Sequence, residues 1–324
     1  MLLAGDVGGT KTTLGLFEPE RPRPRTLITQ TYATREFKGF TEIIDAFAQE
    51  VAHPLAISAA AVGVAGPVVA QRAKLTNVPW DVSAEQIAAR LATTKVALLN
   101  DLEAMAMCVD VLTHDEIEVL QEGIERRDGN AVIIAAGTGL GEAYLHRVGG
   151  RLRPVASEGG HADFAARTDR EIELVRMLRE RHGRAEIEQV ISGPGIVNLF
   201  RLTHRGGQCA VNERLEDASP ERITQGALSG RCQFCAEALR MFIAAYGAEA
   251  GNLALRGLAT AGVYIGGGIA PKILRAFQDG SFMDAFRDKA PMTDLVSRIP
   301  VRVILLVHSG LVGASVHALE IAEK

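Results

Sequence analysis

Near its start the chain reads Leu2-Leu3-Ala4-Gly5-Asp6-Val7-Gly8-Gly9-Thr10 and continues with Thr12-Thr13-Leu14-Gly15-Leu16-Phe17. Two apolar runs joined by a glycine turn predict the two strands of a hairpin, with Asp6 at the bend. Because glycine lets a backbone approach a ligand closely, the turn is a candidate binding loop. The alternative, that the turn only connects two strands, stays open at this point.

The same plan returns about 130 residues later, where Ala131 to Ala136 is apolar, Gly137-Thr138-Gly139-Leu140-Gly141 supplies the turn and Glu142 to His146 alternates. We interpret the two segments as a weak internal repeat of one supersecondary unit. A third apolar run ends in Gly266-Gly267-Gly268. In open α/β sheets, ligands bind beyond the carboxyl ends of strands, where backbone N–H groups bind phosphate oxygens. Three such turns therefore predict an α/β fold that binds phosphate.

Length and composition fit a globular protein of roughly two domains: 324 residues and 34.6 kDa, with 47% hydrophobic and 23% charged residues. A net charge of −4 and a pI near 6.1 provide no general electrostatic attraction for nucleic acid or an anionic membrane. The chain start lacks a basic region, and no apolar stretch is long enough to span a bilayer. We therefore expect a cytoplasmic protein that binds neither nucleic acid nor membrane.

Capping signals and apolar periodicity predict the elements around the glycine turns. Ser83-Ala84-Glu85-Gln86 predicts the start of a helix that ends near Leu91, and Lys95 to Leu99 predicts a buried strand that ends at Asn100-Asp101. Further predicted elements are a strand over 56–64, helices over about 102–112, 169–182 and 232–258, helices that start near 220 and 271, a strand over 301–307 and a helix after 313.

The sequence does not match the motifs of two other phosphate-binding folds. In a dinucleotide-binding fold, Gly137-x-Gly139 would be followed by a third glycine and a helix, but Glu142 occupies the glycine position and the next residues alternate like a strand. A Walker-type loop needs G-x-x-x-x-G-K-[ST], which does not occur. Any nucleotide must therefore be held by turns between strands.

That arrangement resembles the actin-like ATPase superfamily, and within it the chain is similar to bacterial glucokinases. The segments that carry the resemblance span nearly the whole chain in the family's order, and Glu-x-x-x-Ser-Gly-Pro-Gly is the most specific. They are Gly5 to Thr10, Leu99-Asn100-Asp101, Gly137 to Gly141, Ser157-Glu158-Gly159-Gly160-His161, Glu188-Gln189-Val190-Ile191-Ser192-Gly193-Pro194-Gly195 and Gly266 to Gly268.

The resemblance implies a two-lobed actin-like ATPase (ribonuclease-H-like) α/β fold with an internal duplication and a cleft between the lobes. It implies a small domain of residues 1–111 plus about 302–324, and a large domain of 112–301. It also implies a homodimer, and Mg-ATP as the phosphoryl donor for glucose 6-phosphate formation in glycolysis. The ATP-binding residues it implies are Gly5, Asp6, Val7, Gly8, Gly9, Thr10, Gly137, Thr138, Gly139, Gly266, Gly267 and Gly268.

Phosphoryl transfer to a sugar hydroxyl needs a carboxylate that accepts the hydroxyl proton. Asp101 is our candidate for this general base, because it follows a strand end beside Asn100, whose amide can donate and accept hydrogen bonds. An Asx cap for the following helix is the structural alternative. Asp6 can hold Mg²⁺ through water, or it is only a residue favoured in tight turns.

A polyol ligand requires both donors and acceptors, and the remaining polar residues of the matching segments supply them. The resemblance implies that Asn100, Asp101, Glu158, His161 and Glu188 contact glucose. Taken alone, His161 reads as a structural histidine and Glu188 as a solvated helix residue. Ligation of a metal by Glu158 and His161 is conceivable, but no cysteine cluster accompanies them.

The Cys232-x-x-Cys235 pair lies in a helical pattern without a second such pair, so we expect buried thiols. Glucokinases of the repressor and kinase (ROK) group carry a zinc signature of cysteines after their histidine. Here no cysteine follows His161 until Cys209, so the sequence predicts no zinc.

Three other functions would each leave a different mark on the sequence or the activity. A sugar-responsive transcription regulator would need a helix-turn-helix, for which we expect no room ahead of Asp6. An actin-like or chaperone-like ATPase would hydrolyse ATP at the same rate with and without glucose. A kinase for fructose, mannose or an N-acetylated sugar is disfavoured only by the family resemblance.

Overall fold

The computed structural model describes residues 1–51, 56–75, 78–205, 209–211 and 218–324. The chain divides into two compact units. The first contains Met1–Glu116, Arg151–Ala156 and Leu306–Lys324, and the second contains Ile117–Gly150 and Ser157–Leu305. No helix among the described residues has the length and apolar character needed to cross a membrane.

The strands are numbered in chain order. They are β1 (Leu2–Val7), β2 (Lys11–Glu18), β3 (Arg25–Ala33), β4 (Ala59–Val64), β5 (Arg72–Lys74), β6 (Asp81–Ser83), β7 (Val96–Asn100), β8 (Ile117–Gln121), β9 (Ala131–Ala136), β10 (Leu140–Val148), β11 (Arg151–Ser157), β12 (Gly262–Gly266) and β13 (Val301–Ile304).

The α-helices are numbered in the same way. They are α1 (Phe40–Glu50), α2 (Ala84–Leu91), α3 (Asp101–Ala106), α4 (Asp169–His182), α5 (Gly193–Thr203), α6 (Pro220–Leu228), α7 (Gln233–Gly257), α8 (Leu274–Phe277), α9 (Ser281–Arg287), α10 (Thr293–Val296) and α11 (Ser309–Ala322). Short 3-10 turns connect several of them, including one at Gly159–His161.

The sheet of the first unit has the order β3-β2-β1-β4-β7. β1 and β2 are antiparallel, with Val7 opposite Thr12, so the predicted strand, turn and strand at the first glycine turn are confirmed. β1, β4 and β7 are parallel, and Val64 lies opposite both Val7 and Asn100. The carboxyl ends of these three strands therefore lie at one edge of the sheet, where Asp6 and Asp101 also lie.

The second large sheet has the order β11-β10-β9-β12-β13-β8. β9 and β10 form an antiparallel hairpin, as predicted for the second glycine turn, with Ala136 opposite Leu140. β12 is parallel to β9 and to β13. The second and third glycine turns therefore follow neighbouring parallel strands at one edge of this sheet.

The core of the second unit contains an aromatic cluster around Tyr246. Tyr246 of α7 makes edge-to-face contacts with Phe242, Phe277 and Phe282. Its hydroxyl donates to the Ile134 carbonyl and accepts from the Ala136 amide, both at 3.1 Å. Because a buried tyrosine hydroxyl needs partners, these bonds fix the ring and hold the end of β9 just before the second glycine turn.

The helix predicted over 102–112 and the strand predicted over 301–307 both differ from the structure. The helix expected over 102–112 ends at Ala106, and a 3-10 turn at Val109–Val111 follows. The Asp110 carboxylate accepts from the Leu152 amide at 2.7 Å, a tertiary bond that the local sequence pattern does not show.

The strand expected over 301–307 is shorter and lies in the other unit. It covers Val301–Ile304 and pairs with β12 and β8 in the second unit, whereas the small domain was expected to include residues from about 302 to 324. The reason is burial: Val301 and Val303 are fully buried in the core of the second unit. Of the carboxyl-terminal segment, only the residues from Leu306 onward, including α11, belong to the first unit.

Candidate active site

The first glycine turn is closed by its own backbone and by one buried side chain. The Gly8 amide donates to the Lys11 carbonyl at 3.0 Å. The Thr34 hydroxyl donates to the Gly8 carbonyl at 2.8 Å, and Thr34 is fully buried. A threonine about 25 residues away in sequence therefore fixes a loop that sequence reasoning treated as local.

Asp6 and Asp101 lie close enough to repel each other. Burial and, second, the charge of Asp101 raise the pKa of Asp6 to about 6. A Cβ on Gly310, at the start of α11, would lie 3.2 Å from Asp6 Oδ2. The Asp6 carboxylate therefore lies against the amino end of a 14-residue helix, whose dipole favours an anion.

Asn100 and Asp101 form the start of α3, so the alternative interpretation of a helix cap is correct for Asn100. Its side-chain oxygen accepts from the Leu102 backbone amide at 2.9 Å. The Glu103 carboxylate accepts from the backbone amide of Asn100 at 3.0 Å, which completes a capping box. Asn100 Nδ2 also donates to the Gly66 carbonyl at 3.1 Å. These hydrogen bonds fix the side-chain amide of Asn100, whereas the Asp101 side chain is exposed.

Gly63 of β4 allows α3 to lie this close to the sheet. A Cβ at this position would lie 2.8 Å from the Ala104 Cβ and 3.7 Å from the Asp101 Cα. Since real Cβ atoms do not approach another side chain so closely, a larger residue would displace α3 and with it Asp101.

The second glycine turn lies at the amino end of α5. The Gly137 amide donates to the Gly139 carbonyl, and the Gly193 amide donates to the Gly137 carbonyl, both at 2.8 Å. Backbone N–H groups at a helix start, together with the helix dipole, form a ready site for phosphate oxygens.

The Glu-x-x-x-Ser-Gly-Pro-Gly segment is the turn that starts α5. The Ser192 hydroxyl donates to the Glu188 carbonyl at 2.6 Å and accepts from the Gly195 amide at 3.0 Å. Ser192 is therefore the helix N-cap and also closes the turn behind it, with Pro194 in the first helical turn. This pair of bonds explains why the residues occur at this spacing.

Glu188 joins the second glycine turn to the segment that contains His161. Its Oε2 accepts from the Leu140 amide at 2.8 Å, and its own amide donates to the Gly160 carbonyl at 2.8 Å. Glu188 is therefore not a solvated helix residue. Its carboxylate lies against the turn that the sequence assigned to phosphate.

His161 lies among three carboxylates. Its Nδ1–H donates to Glu186 Oε2 at 2.9 Å. This bond raises the pKa of His161, and so do the charges of Glu188, Glu186 and Glu158, although partial burial lowers it. The ring is 55% exposed, so it remains accessible to a ligand. Sequence reasoning missed Glu186, since an acid two residues before Glu188 carries no signal of its own.

Glu142 is a buried carboxyl group beneath this region. It is 1% exposed, its Oε1 has no hydrogen-bond partner within the described part of the chain, and a Cβ on Gly159 would overlap its Oε2. Burial and, second, the charge of Glu249 raise the pKa of Glu142 to about 7. The folded protein therefore holds this group partly protonated at neutral pH.

We expect Glu142→Gln to stabilise the protein at alkaline pH. Below pH 4.5, the pKa in the unfolded chain, the Glu142 carboxyl is protonated in both states and does not lower the free energy of unfolding. Between pH 4.5 and about 7 the unfolded chain ionises this group more readily than the folded protein does, so the free energy of unfolding falls as pH rises. At pH 8 the variant should gain about 2 to 3 kcal/mol in free energy of unfolding. Urea unfolding at pH 5 and pH 8 measures it, with exposed Glu180→Gln as control. An equal change at both pH values would contradict the prediction.

The family model described as Glucokinase matches residues 3–321. The chain belongs to the glucokinase family. A glucokinase from Synechocystis sp. is 38% identical over 344 aligned positions, which cover 98% of this chain and 97% of that protein. The expectation of a glucokinase-family enzyme is thereby confirmed.

Solved structures place the chain in the same fold. The crystal structure of a glucokinase from an Antarctic psychrotroph aligns with a TM-score of 0.88 and 27% identity, and covers 98% of both chains. A ROK family glucokinase from Streptomyces griseus, solved in complex with glucose and AMPPNP, aligns with a TM-score of 0.68 and 21% identity over 98% of this chain and 99% of that one. At that identity the likeness shows the fold alone. The predicted α/β class is confirmed as that of solved glucokinases.

The residues that the glucokinase resemblance selected fall into two groups. In the first unit, Asp6, the first glycine turn, Asn100 and Asp101 lie at one edge of the β1-β4-β7 strands. In the second unit, the other two glycine turns lie together, and Glu158, His161 and Glu188 lie beside them.

The cysteines depart from the glucokinase-based expectation. Cys232 and Cys235 are buried, as expected, but they lie beside His204 and Cys209, and the four side chains could together hold a metal. The residues that directly follow His161 contain no cysteine, but these four side chains meet elsewhere in the second unit.

Proposed function

We propose that this protein transfers the γ-phosphoryl group of ATP to the 6-hydroxyl of D-glucose, giving glucose 6-phosphate and ADP. Membership in the glucokinase family supports the reaction class. The observation that carries the proposal is the placement of Asp6 and Asp101 together at the carboxyl ends of β1 and β7. There an exposed carboxylate is available to an acceptor and a second carboxylate is available to the donor.

The acceptor chemistry follows from Asp101. As the 6-oxygen forms its bond to the γ-phosphorus and the bond to the ADP oxygen breaks, the hydroxyl proton passes to the Asp101 carboxylate. Asp101 Oδ1 accepts from the Leu102 amide at 2.9 Å, which holds the side chain in one orientation. The Asn100 amide, fixed by its capping bonds, presents polar atoms to the sugar from the adjacent position.

The nucleotide is held by the three glycine turns, with the phosphates at the amino end of α5 and the adenosine side near Gly267 and Gly268. Asp6 fits a magnesium ion, because carboxylates are its usual protein ligands and a cation offsets the burial and the nearby Asp101 charge that raise the pKa of Asp6. Magnesium that arrives with ATP neutralises charge on the phosphates. Asp6 would contact the magnesium ion through one of the water molecules bound to that ion.

The sugar-binding set we propose is Asn100, Asp101, Glu158, His161 and Glu188. The neighbouring carboxylates raise the pKa of His161, which favours the imidazolium form, and an imidazolium beside carboxylates offers the mixed donors and acceptors that suit a polyol. A cleft between two lobes stays a prediction from the resemblance. The common strand plan of the two sheets supports an internal duplication. A cytoplasmic location and a homodimer stay predictions from the resemblance.

A panel of hexoses in a coupled ADP-release assay tests the proposed reaction. Glucose should give the highest kcat/KM, and fructose, mannose and N-acetylglucosamine lower values. ATP hydrolysis without sugar should be slower by at least about 100-fold, because the transition state needs the acceptor hydroxyl. Equal ADP release with and without sugar would identify an ATPase, and a higher kcat/KM for another hexose would replace glucose.

We expect Glu188→Gln to raise the KM for glucose by roughly 10-fold or more, while the KM for ATP changes less than about threefold. Glutamine keeps an oxygen that can accept from the Leu140 amide, so the second glycine turn is preserved and only the charge toward the sugar is lost. Steady-state kinetics with either substrate varied measures this, with Glu180→Gln as an exposed control. A larger change in the KM for ATP would assign Glu188 to the nucleotide.

A further inference from the structure

Four side chains of the second unit converge on one point away from the proposed active site. We call them the Cys-His cluster: His204, Cys209, Cys232 and Cys235. The atoms that could bind a metal, one imidazole nitrogen and three sulfurs, all lie within 4.8 Å of one another. They come from three parts of the chain: the end of α5, the segment that precedes α6, and the start of α7.

Three of the separations between these atoms match those of a tetrahedral metal site. Cys209 Sγ lies 3.9 Å from Cys232 Sγ and 3.8 Å from Cys235 Sγ. Cys232 Sγ lies 3.4 Å from His204 Nε2. Around a tetrahedral zinc ion, bond lengths near 2.3 Å to sulfur and 2.0 Å to nitrogen put ligand atoms about 3.8 Å (two sulfurs) and about 3.5 Å (sulfur and nitrogen) apart. No disulfide forms among the cysteines, which all lie in the described residues.

The histidine is oriented as a metal ligand. His204 Nδ1–H donates to the Phe200 carbonyl at 2.9 Å, which leaves the lone pair of Nε2 directed at the cysteines. A backbone carbonyl on the other ring nitrogen is the usual way in which a ligating histidine is fixed. The ring is fully buried and contacts Phe200 and Phe234, with centroid distances of 3.9 and 5.2 Å.

The cysteines also lie in an environment that suits thiolates. The backbone amides of Cys235 and Ala210 donate hydrogen bonds to the Cys232 sulfur. Amide donors of this kind stabilise the charged sulfur that a metal requires. Cys232 and Cys235 are 5% and 0% exposed, so water has little access.

We propose that the Cys-His cluster binds one Zn²⁺ ion as a structural site. Three thiolates and one imidazole match the Cys₃His set of structural zinc, and four protein ligands leave no position open for a substrate. The site ties the carboxyl end of α5 to the amino end of α7. These are the two helices that hold the second glycine turn, through Gly193 and Tyr246 respectively. Metal binding should therefore stabilise the second unit without taking part in phosphoryl transfer.

Metal analysis of the full-length protein tests the proposal. The protein should be purified without a polyhistidine tag, kept reduced, dialysed against metal-free buffer and analysed by inductively coupled plasma mass spectrometry. About one zinc per chain is expected. Cys209→Ser and Cys235→Ser should each retain less than about a tenth of it. Cys108→Ser, which removes a buried thiol of the first unit, should retain it all.

Two further measurements keep the test decisive if a variant misfolds. Zinc-edge X-ray absorption on the unmodified protein should show three sulfur neighbours and one nitrogen. A strong chelator should lower the melting temperature of the unmodified protein by several degrees and leave that of Cys209→Ser unchanged. Absence of zinc, iron in its place, a disulfide within the cluster, or full zinc content in both cluster variants would overturn the proposal. None of these outcomes bears on glucose phosphorylation.

Discussion

Asp101→Asn is expected to lower kcat by roughly 100-fold or more, since general-base assistance contributes factors of this size. Asparagine is nearly the same shape and its side-chain oxygen can still accept from the Leu102 amide, so α3 should start as before. The KM for ATP should change less than about threefold, because the change removes only the group that receives the proton. The loss should therefore appear in turnover and not in folding.

Stopped-flow or coupled assays at saturating glucose and ATP measure this effect, and thermal melting checks the fold. Glu103→Gln is the matched control, because Glu103 completes the capping box with Asn100 but has no proposed part in proton transfer. It should keep kcat within about threefold. If Glu103→Gln lost as much turnover as Asp101→Asn, or if Asp101→Asn turned over near normally, the carboxylate at 101 would be a helix-start residue and not the base.

The strands and turns could be predicted because their signals are local. Each glycine turn follows a mainly apolar run in which all residues, or all but one, are buried, and hydrophobic pattern alone indicates such runs. Helices α2 and α4 begin at the predicted residues because Ser83 and Thr168 cap them with their own side chains. Because the residues that form a cap lie within four positions of one another, the start of such a helix can be predicted without knowledge of tertiary contacts.

The remaining features depend on bonds between residues far apart in sequence. Thr34 closes the first glycine turn and Tyr246 holds the strand before the second, yet neither side chain is distinctive in its own segment. The Cys-His cluster is the clearest case: Cys232 and Cys235 alone indicate only buried thiols, and His204 and Cys209 reach them through the packing of α5 on α7. Asn100 shows a different limit, because a helix cap and a ligand contact require the same side chain in the same place.

Gly267→Ala is expected to destabilise the second unit by about 3 kcal/mol, more than most single substitutions. The φ of Gly267 is +83°, a conformation that costs an L-residue about 1 to 2 kcal/mol, and a Cβ would overlap the Ala136 carbonyl of the neighbouring strand. To relieve the overlap, β12 must move from β9, which displaces the second and third glycine turns together. Both the melting temperature and the affinity for ATP should therefore fall.

Gly268→Ala distinguishes an effect on stability from an effect on ATP binding, because Gly268 has an ordinary φ and an added Cβ would lie within 4 Å of no other atom. Its free energy of unfolding should stay within about 0.5 kcal/mol of the unmodified protein. If the turn lies against the nucleotide, Gly268→Ala should still raise the KM for ATP, since only a bound ligand is available to clash with the added methyl group. Urea unfolding and ATP titration of both variants measure these effects. A Gly268→Ala protein with normal ATP affinity would place the adenosine elsewhere, and a Gly267→Ala protein of normal stability would mean that the sheet edge adapts at no cost.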